Sequence, residues 1–337
     1  MPAAKAAPPL EAGDIAPRFV LPMADGASRF DSRNDRIAGR PIVLAFGPAA
    51  TAAAPAQLLA KAERFKAIGA VPLAVVRSAN AADGTSVALD AEGKMTAHFA
   101  GPAGGGVVAI GRNGHALTIE RGAGADAVDR ALGLLTGLAA ESEVKPAERQ
   151  APVLLVPDVF SREDCKRLIT IYNMDGNVFV EPGHGVQNRK SDYKMRIPDQ
   201  GRKDRIDHWV VNPQTMGLIN DRLSRRLFPE IQKAFNYKIT RHERYRIGCY
   251  EGERGGEAIG HRDNVQANVA HRRFACSINL NAEEFEGGEL AFPEYGDQRF
   301  SPRTGEAVVF SSSMLHEPLH VTSGRRLVLL AFLFGDT

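Results

Sequence analysis

The sequence predicts an α+β protein of two domains, and three observations carry that reading. Strand and helix signals alternate through the first 140 residues. A short charged segment without apolar periodicity interrupts the chain around residue 145. Beyond it, helical segments come first and strand after strand follows. A chain of 337 residues is long enough for two such cores, and its 44% apolar content can fill them.

The first domain is expected over residues 1–140. Pro41–Phe46 (PIVLAF) is a fully apolar run of strand type, and Val71–Val76 is a second. Between them, from Pro55 to Ile68, Leu58, Leu59, Ala62 and Phe65 share one helical face. Gly105–Gly111 and Ala116–Ile119 flank Asn113-Gly114, a hairpin signal because both residues tolerate positive φ. A last helix runs from about Asp126 to Ala139. The resulting β-α-β-ββ-α order is that of the thioredoxin fold.

The opening stretches GDIAPRFVLPMADG and GRPIVLAFGPAAT resemble the start of the peroxiredoxin and redoxin family, over about residues 11–140. In that family a reactive cysteine follows the strand end, near Ala53 or Ala54 here. Alanine cannot supply the thiolate that attacks peroxide or disulfide. The resemblance implies the fold without the chemistry, a redox-inactive thioredoxin-like domain.

Residues 141–151 (ESEVKPAERQA) are charged, contain Pro146 and read as the linker. The second domain, 152–337, opens with the strand PVLLVPDVF. Ser161 then caps a helix, with Asp164 placed for a capping box and Leu168, Ile169 and Tyr172 on its buried face. A longer helix starts at Pro213 behind Asn212, its apolar face carrying Leu218, Leu223, Leu227 and Ile231. Strands follow at Tyr245–Tyr250, Phe274–Leu280, Glu289–Phe292, Ala307–Phe310 and Arg326–Phe334. In Phe274–Leu280 apolar and small or polar residues alternate, as in a half-buried strand. Helices followed by many strands suggest a double-stranded β-helix, or jelly roll, with supporting helices.

Composition excludes several classes. A net charge of +2 demands neither nucleic acid nor an acidic membrane as partner. No apolar run reaches membrane-spanning length, and MPAAKAAPPLEAGD lacks the core of a signal peptide, so a cytoplasmic protein is expected. Cys165, Cys249 and Cys276 form no disulfide framework and no CxxC pair. They read as buried small hydrophobes.

His261-Arg262-Asp263 carries the chemistry. On a strand, residues i and i+2 share a face with Cα atoms roughly 7 Å apart, so imidazole and carboxylate reach one metal ion. An isolated HxD occurs by chance in many proteins. Here a strand at 306–310 leads into SSSMLHEPLHVTSGRRLVLLAFLF, where either His316 or His320 offers a second imidazole. Two histidines and one carboxylate form the facial triad of non-haem iron(II) oxygenases. A cation ten residues further on suits the remote carboxylate of a keto diacid.

PVLLVPDVFSREDCKRLI, YRIGCYEGERGGEAIGHRD, RRFACSINLNAEEFEGGELAFPE and GEAVVFSSSMLHEPLHVTSGRRLVLLAF resemble successive blocks of the prolyl 4-hydroxylase-like branch of the 2-oxoglutarate oxygenases. The resemblance implies His261, Asp263 and His316 as ligands of Fe(II). It implies Arg326 as the clamp on 2-oxoglutarate and Tyr250 as a co-substrate contact. His320 and Arg325 are the rival residues, the latter expected as a solvated charge. Many members have tyrosine where this chain has Asn279, whose amide could hydrogen-bond the same carboxylate. O2 is the other co-substrate, and ascorbate a candidate reductant.

The implied reaction is hydroxylation of an amino-acid side chain, proline foremost, in a protein or peptide, with release of succinate and CO2. Hydroxylation of a free amino acid or small metabolite, and a catalytically silent binding module, are the alternatives. A thiol peroxidase conflicts with the missing cysteine. The charged segment 187–207 reads as a mobile surface loop; in the resembled family a loop in this place closes over the substrate, which implies Arg189, Lys190 and Arg196 as candidate contacts. His184, His208, His242 and His271 read as surface or satisfied histidines, and Gly287-Gly288 as a turn without chemistry.

Overall fold

The structure, a computed structural model, describes residues 9–34, 37–79, 86–102, 104–140, 150–174, 178–180, 189–199, 202–252 and 260–336; for 178–179, 196–199 and 202–204 it describes the backbone alone. The chain divides into two compact units, Met1–Pro146 and Ala147–Thr337. Most of the expected linker, like His184, lies outside the described residues.

The first unit is built on a mixed five-stranded sheet. Strand β1 (Ile42–Ala49) leads through α1 (Ala53–Ala60) and α2 (Ala62–Ala67) to β2 (Val71–Ser78). Then come β3 (Val87–Leu89), α3 (Lys94–Phe99), the hairpin β4 (Gly106–Ile110) and β5 (Ala116–Arg121), and α4 (Ala125–Ala140). The order across the sheet is β3-β2-β1-β4-β5, with β1, β2 and β3 parallel and β4 and β5 antiparallel. Residues alternate between the faces of β1, so Ile42, Leu44 and Phe46 enter one apolar core while Val43 and Ala45 enter another beneath α1 and α4. The expected single helix at 55–68 is two helices meeting at Lys61, and β3 and α3 are elements the periodicity was too short to reveal.

The second unit opens with β6 (Leu154–Val156) and α5 (Arg162–Asn173). The Ser161 side chain accepts from the Asp164 N–H, and the Asp164 carboxylate accepts from the Ser161 N–H, completing the capping box. Strand β7 (Val178–Val180) precedes β8 (Tyr193–Asp199) and β9 (Arg202–Trp209). Helix α6 (Pro213–Arg222), capped by Asn212, continues through a π turn at Leu223–Leu227 into α7 (Phe228–Phe235). The expected uninterrupted helix therefore carries a bulge just before Pro229, which has no N–H to give to the preceding turn. Strands β10 (Arg246–Glu251), β11 (Phe274–Asn279), β12 (Ala307–Ser311) and β13 (Val321–Phe334) complete the main sheet.

The main sheet runs in the order β6-β12-β11-β13-β10-β9-β8-β7 and is antiparallel except between β7 and β8. Leu290–Ala291, Arg299–Phe300 and Glu317–Pro318 form a small second sheet. One face of the main sheet packs Cys276, Ile278, Ile247, Leu327 and Leu329 against Leu168, Tyr172, Ile219 and Leu227 of the helices.

Two expectations need correction. The segment 187–207 is not a surface loop where it is described. It forms most of the β8–β9 hairpin, with β9 paired to β10. Strand β11 is buried throughout, not half-buried, because it lies inside the sheet with Cys276 and Ile278 toward the helices and Ala275 and Ser277 toward a cavity. The alternation was real, but its second face meets a cavity wall instead of solvent.

Candidate iron and co-substrate site

His261 and His316 form an isolated antiparallel bridge, each N–H donating to the other's carbonyl at 3.0 and 3.1 Å. Asp263 lies in the turn that follows, its N–H held by the Ser312 carbonyl at 2.9 Å. The HxD pair thus shares a bridge and a turn, not a regular strand. The three side chains nevertheless converge, each offering a ligand atom within 4.8 Å of the others. The two Asp263 oxygens face different imidazoles, Oδ1 at 3.6 Å from His261 Nε2 and Oδ2 at 3.6 Å from His316 Nε2. His320 is exposed and outside this cluster.

Electrostatics suit the cluster to a cation. His316 is buried, and Nδ1 lies 3.2 Å from the Met314 carbonyl. Donation there fixes the tautomer and leaves the Nε2 lone pair directed at the cluster. Burial pushes the His316 pKa down, with Asp263 opposing, which favours the neutral, ligating form. Burial opposes ionisation of Asp263, but His261, His316 and Arg272 hold its carboxyl below the usual range. Phe310 and Phe292 pack beside the His316 ring. A two-imidazole, one-carboxylate donor set is the set iron(II) takes when half its coordination positions must stay open.

The cluster lines a cavity of about 230 Å³. Arg326 on β13 and Tyr250 on β10, paired across the two strands, enter it together. The Arg326 guanidinium is buried, yet among the described residues no carboxylate pairs with it. Its Nε donates to Asn279 Oδ1 at 3.0 Å and an Nη to Ser277 Oγ at 3.3 Å, and its Cζ stands 5.4 Å from the Tyr250 ring centroid. Burial lowers its pKa, with Tyr250 and Glu289 opposing the shift and Arg205 adding to it. Arg325, on the opposite face of β13, is half exposed and approaches Glu251.

Asn279 stands elsewhere than expected. Its Nδ2 donates to the Pro302 carbonyl at 2.7 Å and its Oδ1 is taken by Arg326, so it aims the arginine from behind the cavity wall. Gly288 has a part too. Its φ is +70°, and a Cβ there would come 2.9 Å from Arg326 Cδ. Arg189 and Lys190 do not line the cavity, and the Arg196 side chain lies outside the described residues. Cys165, Cys249 and Cys276 are free and buried. His208 is buried with Nε2 at 2.9 Å from Asp192, whereas His271 is exposed beside Glu243.

Three residues that sequence reasoning missed, Arg205, Arg246 and Arg272, also line the cavity. Arg205 makes a two-point contact with fully buried Asp207, at 2.6 and 2.9 Å, and donates to the Tyr250 hydroxyl at 2.7 Å. With that oxygen accepting, the Tyr250 proton is free to point into the cavity. Gly248 lies opposite Asp207, and a Cβ there would press on the Arg205–Asp207 pair at 3.1–3.3 Å. The signal was available: if Tyr250 faces the cavity, so does Arg246 four residues earlier on the same strand.

Comparison with known proteins follows this geometry. Residues 245–334 match the family model of the 2OG-Fe(II) oxygenase superfamily. A PKHD-type hydroxylase of Stutzerimonas stutzeri is 26% identical over 193 residues, 52% of this chain and 75% of that protein. One from Stenotrophomonas maltophilia is 34% identical over 89 residues, 24% of this chain and 39% of the relative. Among solved structures, a Pseudomonas putida prolyl-4-hydroxylase aligns at TM-score 0.39 and 14% identity, covering 56% of this chain and 95% of that one. A Trichoplax adhaerens prolyl hydroxylase, solved with a peptide fragment of the hypoxia inducible factor oxygen degradation domain, aligns at 0.40 and 15%, covering 55% and 84%.

Proposed function

As a 2OG-Fe(II) oxygenase of the prolyl hydroxylase-like kind, this protein, we propose, hydroxylates an amino-acid side chain, proline foremost, within a protein or peptide. The observation that carries the reading is one cavity holding both a His261–Asp263–His316 donor set and a buried Arg326 that no carboxylate pairs among the described residues. The first would hold Fe(II). The second would receive the remote carboxylate of 2-oxoglutarate through a two-point, charge-assisted contact. Iron bound there supplies oxidative chemistry, coupling decarboxylation of 2-oxoglutarate to hydroxylation of a C–H bond.

The chain's own residues then have distinct tasks. Tyr250 offers its hydroxyl proton to the carboxylate that Arg326 binds, and Arg205 keeps that hydroxyl oriented. Asn279 and Ser277 fix the guanidinium. Leu290, Phe310 and Pro318 form an apolar wall that excludes water. The prolyl assignment draws on the quoted sequence blocks and on the PKHD-type hydroxylases among the relatives. A double-stranded β-helix in residues 152–337 belongs to the same proposal. So does a redox-inactive thioredoxin-like domain in residues 1–140 that offers a surface to polypeptides.

The test incubates the protein with Fe(II), 2-oxoglutarate and ascorbate in air, with either a dialysed proteome or a small-metabolite extract. Succinate release with a one-oxygen mass gain on prolyl residues of the protein fraction is expected. A gain confined to the metabolite fraction would overturn the peptide reading.

A further inference from the structure

Four arginines reach one cavity, and three of them have a task. Arg326 faces the co-substrate. Arg205 is engaged by Asp207 and Tyr250. Arg272 makes a two-point contact with Glu243, at 2.6 and 2.7 Å, and donates to the Asp263 carbonyl at 3.1 Å. Arg246 has none of this. Its guanidinium is largely buried and donates no side-chain hydrogen bond among the described residues. Among the described residues the carboxylate oxygen within reach, on Asp207, lies 3.6 Å away and already serves Arg205.

What surrounds Arg246 instead is aromatic. Its Cζ lies 5.0 Å from the ring centroids of both Trp209 and Phe332, while Arg272 covers Phe332 at 3.6 Å. Aromatic faces steer a guanidinium and stabilise it modestly, but they leave its N–H groups unused. Burial holds Arg246 below the ordinary arginine range; Asp207 opposes the shift, and Arg205 and Arg272 add to it. A planar cation fixed between two rings, short of anions and open to the cavity, is a receptor for a carboxylate.

The co-substrate does not meet this need. Its keto acid end would go to the metal and its remote carboxylate to Arg326, while Arg246 stands opposite Leu330 with its guanidinium over Phe332, six residues beyond Arg326 on β13. The lining agrees: among the described residues it holds four arginines and a single carboxylate, Asp263, and a divalent cation with a dianionic co-substrate would add no net charge.

We infer that Arg246 is a specificity-determining residue that binds a carboxylate of the substrate, carried close to the carbon that is hydroxylated. The inference rests on the oxygenase reading of this cavity and names the substrate more narrowly: an acidic residue next to the target residue, or the target's own free carboxylate.

Trp209, the chain's one tryptophan, stacks on Arg246 and reports its occupancy by fluorescence, independently of turnover. The full-length protein, loaded with Mn(II) and 2-oxoglutarate without oxygen, is titrated with two isosteric pairs: N-acetyl-Pro-Asp-amide against N-acetyl-Pro-Asn-amide, and N-acetyl-L-proline against N-acetyl-L-prolinamide. At least one acid should bind about tenfold or more tighter than its amide, as a charged hydrogen bond allows. Which pair discriminates identifies the source of the carboxylate. Arg246→Gln should abolish the discrimination while 2-oxoglutarate affinity changes less than about twofold, and Arg246→Lys should restore part of it. Equal binding of acid and amide in both pairs, or no binding by either, overturns the inference. So does a loss of 2-oxoglutarate affinity in Arg246→Gln with discrimination intact. N-acetyl-L-alanine separates this from the prolyl reading: binding equal to that of N-acetyl-L-proline keeps the carboxylate site and removes proline as the target.

Discussion

The sheets of the two units use their faces differently. In the first unit β1 is apolar on both faces, feeding one core with Leu44 and Phe46 and the other with Val43 and Ala45. Neither face of β1 carries a charged side chain. In the second unit one face is apolar, and the other carries Arg205, Arg246, Arg326 and Asp207 on adjacent strands. Buried charges cost several kcal/mol each unless something compensates them, so a surplus of buried cations marks where an anionic ligand binds. The same contrast holds at single positions. Ala53 and Ala54 open α1 with bare methyl groups, whereas His261, Asp263 and His316 bring three ligand atoms within 4.8 Å of one another.

The sharpest way to break this contrast is to remove the triad. His261→Ala, Asp263→Ala and His316→Ala should each abolish stoichiometric iron binding and reduce succinate formation by about 100-fold or more, beyond the usual loss for an outer-shell residue. His320→Ala should keep both within about twofold, as an exposed side chain outside the cluster should. Iron content of the purified variants and 2-oxoglutarate turnover check this. Loss of iron in His320→Ala with retention in His316→Ala would reverse the assignment.

Next in size is the co-substrate end. Arg326→Ala should raise the 2-oxoglutarate Kd by about 100-fold, because deleting one partner of a buried charge pair costs roughly 3 kcal/mol. Metal content should stay the same. Asn279→Ala removes only the group that aims Arg326, and about tenfold is expected. Calorimetry with Mn(II) in place of iron measures both. An Asn279→Ala loss larger than that of Arg326→Ala would mean that the amide touches 2-oxoglutarate directly.

A smaller effect is expected from the thiols. Burial pushes Cys165 up to about 12, and Cys249 and Cys276 upward as well. All three should therefore stay protonated near neutral pH and react with a disulfide reagent only on unfolding. No cysteine precedes residue 165, so the full chain should consume no peroxide at the expense of added thiol. Fast titration of even one thiol in the native protein would contradict the burial.

How much of this was legible follows from which force shaped each element. Strands with an alternating or continuous apolar run against a greasy core, such as β11 and β13, were readable, and His261 and Asp263 stand in one cluster although a bridge and a turn carry them in place of the expected strand. The β8–β9 hairpin was not. Its charges, including Arg205 and Asp207, neutralise one another inside the fold, whereas a sequence read alone assigns charge to the surface. The π turn before Pro229 and the two-residue strands of the second sheet arise from backbone bookkeeping and tertiary pairing, which leave no period in the sequence. The role of Asn279 depends on Arg326 Nε lying 3.0 Å from its Oδ1, which no spacing rule supplies.

The smallest expected effect compares the first turns of two helices. Helix α5 begins with a complete capping box, while α1 begins at Ala52, whose backbone is extended like a cap but whose side chain accepts nothing. Ser161→Ala should lower stability by about 1 kcal/mol, and Ala52→Ser should raise it by up to that amount if its hydroxyl reaches a first-turn N–H. Asp164 sets the larger limit at α5. Burial opposes its ionisation, but Arg222 at 3.0 Å and the Ser161 N–H hold its carboxyl below the ordinary range. Its contribution is therefore present in full above the ordinary aspartate pKa and is lost as pH falls through the depressed native value. The stability gap between wild type and Asp164→Asn should accordingly narrow on acidification below about pH 4. Hydrogen exchange at the first-turn amides of α1 and α5 separates the two units where a single melting curve would not. Unchanged protection at α5 in Ser161→Ala would show that Asp164 alone holds that helix start.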